Sequence, residues 1–315
     1  MYIFQHIRAA KYARGVVVPL QSDVYTKAPS SQFPHFFEPK ANERIVDHTS
    51  WLREKVVYTI NADSLHERMN YSVMKASDTF RMITLGDSFT YGLLVNTAEN
   101  YPEQLEDMLN ANVCTAAQHF DVINLGVPAY DVGFSAERFR FRGIKYKPDA
   151  VVWFMNEFTM SFLADYKTRL ENEYVKEITE EEMRAQEKLG VYYYPGARAF
   201  RDMAAQVPQG EIIGKEASYL QNFSAVYQGP LVIVANNWSM WHPLAKLAVI
   251  NYAMFRPSTW IYRSLPSLER DGGLLEDGHP NTHGHRMIAS GIRDYLGKQG
   301  LLPCGVGPGD TLDAR

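Results

Sequence analysis

The sequence of 315 residues predicts an α/β fold built around a parallel sheet. From residue 81 onward, short apolar runs alternate with amphipathic stretches of helical length, which is the pattern of repeated βαβ units. Two of the runs, 151–155 and Leu231–Ala235, are apolar throughout, as is typical of strands buried on both faces. Right-handed crossovers keep such strands parallel, so the turns that leave them are expected to meet at one edge of the sheet.

The elements follow one another in strict alternation along the chain. The predicted strands are 81–85, 121–124, Ala150–Met155, Leu231–Ala235 and 259–263, and the predicted helices are 101–111, 132–145, 241–252 and 283–298. Residues 157–228 interrupt the alternation with a charged helical run and a stretch rich in Tyr, Pro and Gly. An insertion of this length between two core strands is expected to form a cap.

The N-terminal part of the chain has a different pattern. Residues 1–75 mix Pro, Ser, Lys and aromatic residues without a sustained period, so we expect an arm packed on the core, with one or two short strands around 55–60. Residues 76–315, which contain the alternating pattern, are expected to form the main domain, where a catalytic site would lie. No stretch has the form of a signal peptide or a membrane span, which predicts a soluble, cytoplasmic protein.

Composition excludes several classes of function. The formal net charge is −4, from 32 basic and 36 acidic residues, so no global attraction to nucleic acid or to an anionic membrane is predicted. The two cysteines, Cys114 and Cys304, lie far apart, have no metal-binding spacing, and are expected to be free thiols rather than a disulfide. The oligomeric state stays open.

One serine lies where the first predicted strand turns into a helix. Gly86-Asp87-Ser88 follows the apolar run, and the carboxyl ends of strands in open α/β sheets are where ligands bind. Ser88 is therefore a candidate nucleophile, provided that a base reaches it. The alternative is an ordinary turn and helix cap, and Asp87 is expected to shape the turn rather than to perform catalysis.

Two further strand ends carry candidate oxyanion donors. Gly126, in Asn-Leu-Gly-Val-Pro, lets its backbone N–H approach a ligand closely, and Asn156 follows the run 151–155 with a side-chain amide. Each residue is also common in plain strand-end turns, so neither decides the function by itself.

The loop before the last helix, Glu-Asp-Gly-His-Pro-Asn-Thr-His-Gly-His over 276–285, supplies a candidate base. Extended residues two apart project to the same side, so Asp277 is expected to orient His279. Glu276 is the alternative acid. Three histidines in seven residues are also a pattern found in metal sites, but the spacing of known zinc motifs is absent, so no metal is expected. His283 and His285 are expected to start the helix or to pack.

Taken together, GDSFTYG, NLGVPAYD, FMNEF and DGHPNTHGH resemble, in order, the four blocks of the SGNH hydrolases, the GDSL-like lipases and esterases. The resemblance covers residues 81–298 apart from the insertion. It implies a three-layer α/β/α sandwich with a five-stranded parallel sheet of the flavodoxin-like type. It also implies Ser88 as nucleophile, His279 as base, and an oxyanion hole formed by the Ser88 N–H, the Gly126 N–H and the Asn156 side chain.

The chain departs from the family pattern in two places. The third block usually reads Gly-x-Asn-Asp, whereas Phe154-Met155-Asn156-Glu157 keeps only the asparagine. In the last block the acid commonly lies three residues before the histidine, which would select Glu276. Asp-x-His spacing also occurs among relatives, and we favour Asp277 as the acid.

The expected function is that of a serine esterase that cleaves an ester of a small or carbohydrate-linked acyl group through an acyl-enzyme on Ser88, with no cofactor. An O-acyltransferase acting on a sugar would use the same residues up to the acyl-enzyme. A non-catalytic binding module on the same fold is the third reading. The presence of all the candidate residues argues against it.

Overall fold

The computed structural model describes residues 24–47, 52, 54–111, 117, 119–161, 163–165 and 207–303. Its centre is a sheet of five strands in which every pairing is parallel. The strands are β5 (Thr79–Leu85), β6 (His119–Asn124), β7 (Ala150–Met155), β8 (Leu231–Ala235) and β9 (Thr259–Tyr262), in the spatial order β6-β5-β7-β8-β9. This is the flavodoxin-like order, so the chain direction across the sheet reverses at β5, and ligand crevices form beside such a switch point.

Helices cover both faces of the sheet, as the alternating side chains of its strands require. One face packs on α3 (Val132–Arg138), α4 (Gln209–Val226) and α5 (Pro243–Phe255), and the other packs on α2 (Tyr101–Asn110) and α6 (Thr282–Lys298). On β7, Trp153 belongs to the first core and Phe154 to the second. The predicted three-layer α/β/α sandwich is confirmed.

Most predicted elements are present, with small shifts that have local causes. The last-but-one helix begins at Pro243 rather than at 241, because the His242 side chain caps it by accepting from the Leu244 N–H at 3.2 Å. Trp241 instead donates its indole N–H to the Asn236 carbonyl at 2.7 Å. The helix predicted over 132–145 is α-helical only as far as Arg138, and a wider π turn follows at Phe139–Gly143.

The described part of the arm carries more strands than the sequence predicted. β4 (Val56–Thr59) lies in the expected region and pairs antiparallel with β3 (Arg44–Asp47), while β1 (Tyr25–Lys27) pairs with β2 (Phe37–Pro39). Aromatic side chains of the β1–β2 region pack on the loop after β6 and on α3, and Arg138 of α3 forms a buried ion pair with Glu38.

Part of the stretch predicted as an insertion belongs to the core. α4 lies within 157–228, yet it is the crossover helix from β7 to β8, with Ile213, Leu220 and Phe223 buried against the sheet. This correction follows from the apolar side chains that α4 buries, which the uneven sequence pattern did not reveal. The charged run and the stretch rich in Tyr, Pro and Gly, which belong to the insertion expected to form a cap, lie outside the described residues, as do both cysteines. Within the described ranges, no helix is both long and apolar enough to span a bilayer.

Candidate active site

Three side chains from two distant segments form one hydrogen-bonded chain. Nε2 of His279 lies 2.9 Å from Oγ of Ser88, and Nδ1 of the same ring lies 2.7 Å from Oδ2 of Asp277. An ionised carboxylate only accepts hydrogen bonds, so Nδ1 carries the ring proton and Nε2 accepts from the Ser88 hydroxyl. This is the tautomer in which a histidine can remove a proton from a serine.

The turn that presents Ser88 depends on Gly86. Its φ is +151°, and a Cβ at this position would lie 2.3 Å from Oγ1 of Thr90 and 2.8 Å from the Phe154 carbonyl oxygen. Asp87 caps the short helix α1 (Ser88–Tyr91) by accepting from the Phe89 N–H at 2.9 Å. Ser88 is therefore the first residue of a helix at the carboxyl end of β5, half-buried and turned toward the histidine loop.

The histidine loop is held by its own backbone. The N–H of Leu275 donates to the His279 carbonyl at 2.8 Å, and the N–H of Gly278, whose φ is +93°, donates to the Leu275 carbonyl at 3.1 Å. Oδ1 of Asp277 also accepts the backbone N–H of His279 at 3.0 Å. The carboxylate thus bonds both the backbone and the ring of His279, which sets the direction of the imidazole.

The Asp277 side chain is buried more deeply than that of His279. The Asp277 side chain is 4 % exposed and that of His279 is 17 % exposed, with the ring 5.6 Å from the Phe89 ring. Burial by itself would raise the pKa of Asp277, but the hydrogen bonds and charge of His279 outweigh it and hold that pKa below its usual value. Asp277 is therefore ionised at neutral pH. Glu276 is exposed, so the structure brings Asp277 rather than Glu276 to His279.

Asn156 reaches the same site from the end of β7. Its Nδ2 donates to Oδ2 of Asp87 at 2.6 Å, and its Oδ1 accepts the Thr159 N–H at 3.3 Å. Burial raises the pKa of Asp87, while the Phe89 N–H and the Asn156 amide act in the opposite direction. Asp87 thus does more than shape the turn, because it also holds the Asn156 amide. The two residues are 69 positions apart, and no sequence signal indicated this contact.

Gly126 is not placed as the sequence predicted. Its N–H donates to Oδ1 of Asn124 at 2.9 Å and so is already satisfied inside the protein. A Cβ on Gly126 would lie 2.4 Å from the Tyr91 backbone nitrogen, which makes close packing against α1 the reason for glycine here. The sequence predicted the Gly126 N–H as an oxyanion donor, whereas in the structure this N–H is bonded to Asn124.

The two remaining histidines of the last block are separate from this chain of hydrogen bonds. His283 is exposed at the start of α6, and His285 is fully buried, where Nδ1 accepts the Tyr101 N–H at 3.2 Å. Burial lowers the pKa of His285 to about 3, so this ring is neutral. Among the described residues, no three His, Cys, Asp or Glu side chains are grouped so as to hold a metal ion.

The residues of the four sequence blocks therefore lie along one edge of a five-stranded parallel sheet in flavodoxin-like order, with the serine, histidine and aspartate in hydrogen-bond contact. This arrangement and the order of the blocks agree with the resemblance noted in the sequence. The chain has the SGNH hydrolase fold.

No protein-family model and no curated protein matches the sequence. Solved structures do match. A protein from Desulfitobacterium hafniense DCB-2, assigned to the lipolytic G-D-S-L family, is 14 % identical, with a TM-score of 0.42 over 69 % of this chain and 99 % of its own. The psychrotrophic esterase EstA from Pseudoalteromonas sp. is 13 % identical, with a TM-score of 0.44 over 70 % and 99 %.

A two-domain esterase active on acetylated mannans is 18 % identical to the SGNH-fold chain, with a TM-score of 0.43, and the match covers 71 % of this chain and 51 % of that one. Matches with identities and TM-scores this low carry no argument about the site, so its chemistry is argued below from its own geometry.

Proposed function

We propose that the protein is a serine esterase that hydrolyses esters of small or carbohydrate-linked acyl groups through an acyl-enzyme on Ser88. The observation that carries the proposal is the position of His279, whose two ring nitrogens contact Ser88 and Asp277 at 2.9 and 2.7 Å. A nucleophile hydrogen-bonded to a base, which is in turn oriented by a third group, is the arrangement that nucleophilic catalysis requires.

In the first half of the reaction, Oγ of Ser88 attacks the acyl carbonyl while Nε2 of His279 takes the hydroxyl proton. Asp277 remains ionised and stabilises the imidazolium that forms. The tetrahedral intermediate then collapses, the C–O bond to the alcohol breaks, and His279 returns its proton to the departing alkoxide oxygen. The acyl group is left on Ser88.

In the second half, water takes the place of the alcohol. His279 removes a proton from the water, whose oxygen attacks the acyl carbonyl. Collapse of the second intermediate breaks the bond to Oγ of Ser88, and the histidine returns the proton to that oxygen. The products are a carboxylic acid and the free enzyme, and every proton is accounted for by one imidazole.

Negative charge develops on the carbonyl oxygen in both halves. The N–H of Ser88 lies at the first position of α1, where backbone donors have no partner within the helix, and it is free to donate to that oxygen. Nδ2 of Asn156 has two hydrogens, of which Asp87 holds one, so the second is available to the same oxyanion. Holding the amide in advance means that it need not reorganise during the reaction.

The test uses a fluorophosphonate probe and p-nitrophenyl acetate with the purified full chain. The wild-type protein is expected to be labelled at Ser88, identified by peptide mass spectrometry, and to release p-nitrophenol, while Ser88→Ala does neither. A matched control is Ser218→Ala, since Ser218 is an exposed residue of α4 whose hydroxyl bonds only the local Lys215 carbonyl. If the wild-type protein is neither labelled nor active, the esterase proposal is refuted and a non-catalytic binding module on the same fold is favoured.

The nature of the acyl group is tested with the same assay. A series of p-nitrophenyl esters from acetate to decanoate, and acetylated sugars, should show the highest kcat/KM for the shortest acyl groups. Transfer is distinguished from hydrolysis by adding a sugar acceptor and measuring whether acyl sugar forms at the expense of free acid. If transfer to the sugar predominates over hydrolysis, the protein is an O-acyltransferase rather than an esterase.

A further inference from the structure

The arm contacts the core beside the helical turn that carries the nucleophile. After β4 the chain turns back, so that His66 and Ile60 form a short antiparallel bridge. His66 and the following Glu67 are buried, and the Glu67 carboxyl group accepts the N–H of Asn124 at the end of β6. The resemblance noted in the sequence begins at residue 81, so these contacts come from a segment that the family blocks do not include.

The side chain of His66 ends on the last residue of α1. Its Nδ1 lies 2.6 Å from the carbonyl oxygen of Tyr91, and its Nε2 lies 2.9 Å from Oγ1 of Thr97. A carbonyl oxygen only accepts hydrogen bonds, so Nδ1 is the protonated ring nitrogen. Burial lowers the pKa of His66 to about 4, which keeps the ring neutral at pH 7. Nε2 therefore accepts from the Thr97 hydroxyl.

The helix α1 is a single turn and depends on contacts with other segments. The carbonyls of the last turn of a helix have no partner within it, and isolated helices this short are not stable in water. The Tyr91 carbonyl accepts from His66 at 2.6 Å and from Nδ2 of Asn124 at 3.4 Å. The His66 and Tyr91 rings also pack together, with their centroids 4.4 Å apart. His66 thus donates the shorter of the two side-chain hydrogen bonds to this end of α1.

The position of α1 determines the position of Ser88. Ser88 is the first residue of the turn and Tyr91 the last, about 4.5 Å apart along the helix axis. Asp87 caps the N-terminal end, and His66 holds the C-terminal end. Without the second contact the turn can pivot about the first, which moves Oγ of Ser88 relative to His279. A displacement of about 1 Å can lower a catalysed rate about 10²-fold.

We infer that His66 is a positioning residue for the nucleophile: its Nδ1–H holds the C-terminal end of α1 and keeps Oγ of Ser88 in hydrogen-bond contact with His279. The inference rests on the proposed function. The ring of His66 is 1 % exposed, so it contributes through α1 and not by contact with the substrate.

Two substitutions separate positioning from packing. In His66→Asn, the side-chain Nδ2 takes the place of the ring Nδ1 and still donates to the Tyr91 carbonyl. In His66→Gln, Nε2 takes the place of the ring Nε2, so only a bond to Thr97 remains. Glutamine is closer to histidine in size, and a packing role alone therefore predicts the milder effect for Gln. We expect the reverse in kcat for p-nitrophenyl acetate: His66→Asn stays within about threefold of the wild type, whereas His66→Gln loses about 10- to 10²-fold with KM within about twofold.

Thr97→Val is the matched control, because it removes the hydrogen bond at the other ring nitrogen and leaves the Nδ1–H in place. The Thr97 hydroxyl also accepts the Thr59 N–H at 2.8 Å, so the variant should unfold at a lower urea concentration than the wild type. Its kcat should still lie within about threefold of the wild-type value. This variant keeps the inference testable if His66→Gln does not fold. A folded Thr97→Val protein that loses more than about tenfold in kcat would show that activity follows the stability of the arm and not the bond to Tyr91.

Urea unfolding followed by circular dichroism establishes that each variant is folded before its kinetics are measured. The inference is wrong if His66→Asn loses as much kcat as His66→Gln, or if a folded His66→Gln protein keeps kcat within about threefold of the wild type. Either result leaves the esterase proposal intact. A wild-type protein without fluorophosphonate labelling and without esterase activity contradicts the proposed function instead.

Discussion

Replacing Asp277 by Asn is the sharpest test of the hydrogen-bonded chain at Ser88. Asp277 accepts two donors of His279, the backbone N–H at 3.0 Å and the ring Nδ1–H at 2.7 Å, whereas an asparagine has one acceptor oxygen. If the amide NH₂ faces the ring, Nδ1 must lose its proton and Nε2 must carry it. His279 then cannot accept the Ser88 proton.

The magnitude follows from the two orientations that the amide can take. With the wrong tautomer, the loss in kcat is about 10⁴-fold, which corresponds to about 5.4 kcal/mol of transition-state free energy. If the amide is flipped instead, two donors face each other at the His279 backbone. That unsatisfied pair costs about 1–3 kcal/mol, or about 10- to 10²-fold if the cost appears in the barrier. We therefore expect a loss between about 10 and 10⁴-fold, mostly in kcat.

The assay is kcat/KM for p-nitrophenyl acetate at pH 7–8, with urea unfolding to show that the variant is folded. Glu276→Gln is the matched control, since it makes the same chemical change at an exposed neighbouring acid, and its activity should stay within about twofold of the wild type. A greater loss for Glu276→Gln than for Asp277→Asn would refute the assignment of the acid and the reasoning from tautomers.

Two other predictions address the turn and the buried core. Gly86→Ala should abolish fluorophosphonate labelling of Ser88, because a Cβ would overlap Thr90 and the Phe154 carbonyl; normal labelling of the folded variant would contradict this explanation of the turn. His285→Gln should make stability less sensitive to acid. Burial lowers the pKa of His285 to about 3, so below pH 6.5 the unfolded chain binds a proton that the folded chain does not, and stability is lost as pH falls from 6.5 toward 3. Urea unfolding between pH 4 and 6 should show a slope smaller by about 1.4 kcal/mol per pH unit in the variant, and equal slopes would count against a neutral buried ring.

Much of the fold could be predicted from local sequence patterns. β7 and β8 have the predicted bounds because their uninterrupted apolar runs leave burial on both faces as the favourable state. Asp277 pairs with His279 as the spacing predicts, but a turn rather than extended chain brings them together, because the Gly278 N–H donates to the Leu275 carbonyl and Asp277 accepts the His279 N–H. α4 was missed as a core helix because its apolar residues are interspersed with small and charged ones, and its burial depends on α3 and α5.

What the sequence by itself determined is the set of side chains that meet at the edge of the sheet: Ser88, Asn156, Asp277 and His279 are in segments whose local patterns place them at strand ends or in a tight loop. What only the tertiary structure decided is how the polar groups there are shared. The N–H of Gly126 is taken by Asn124, and the Asn156 amide is held by Asp87, which is 69 residues away. Hydrogen bonds are directional and each donor is used once, so which groups remain available to a substrate depends on the full set of backbone contacts and not on residue types.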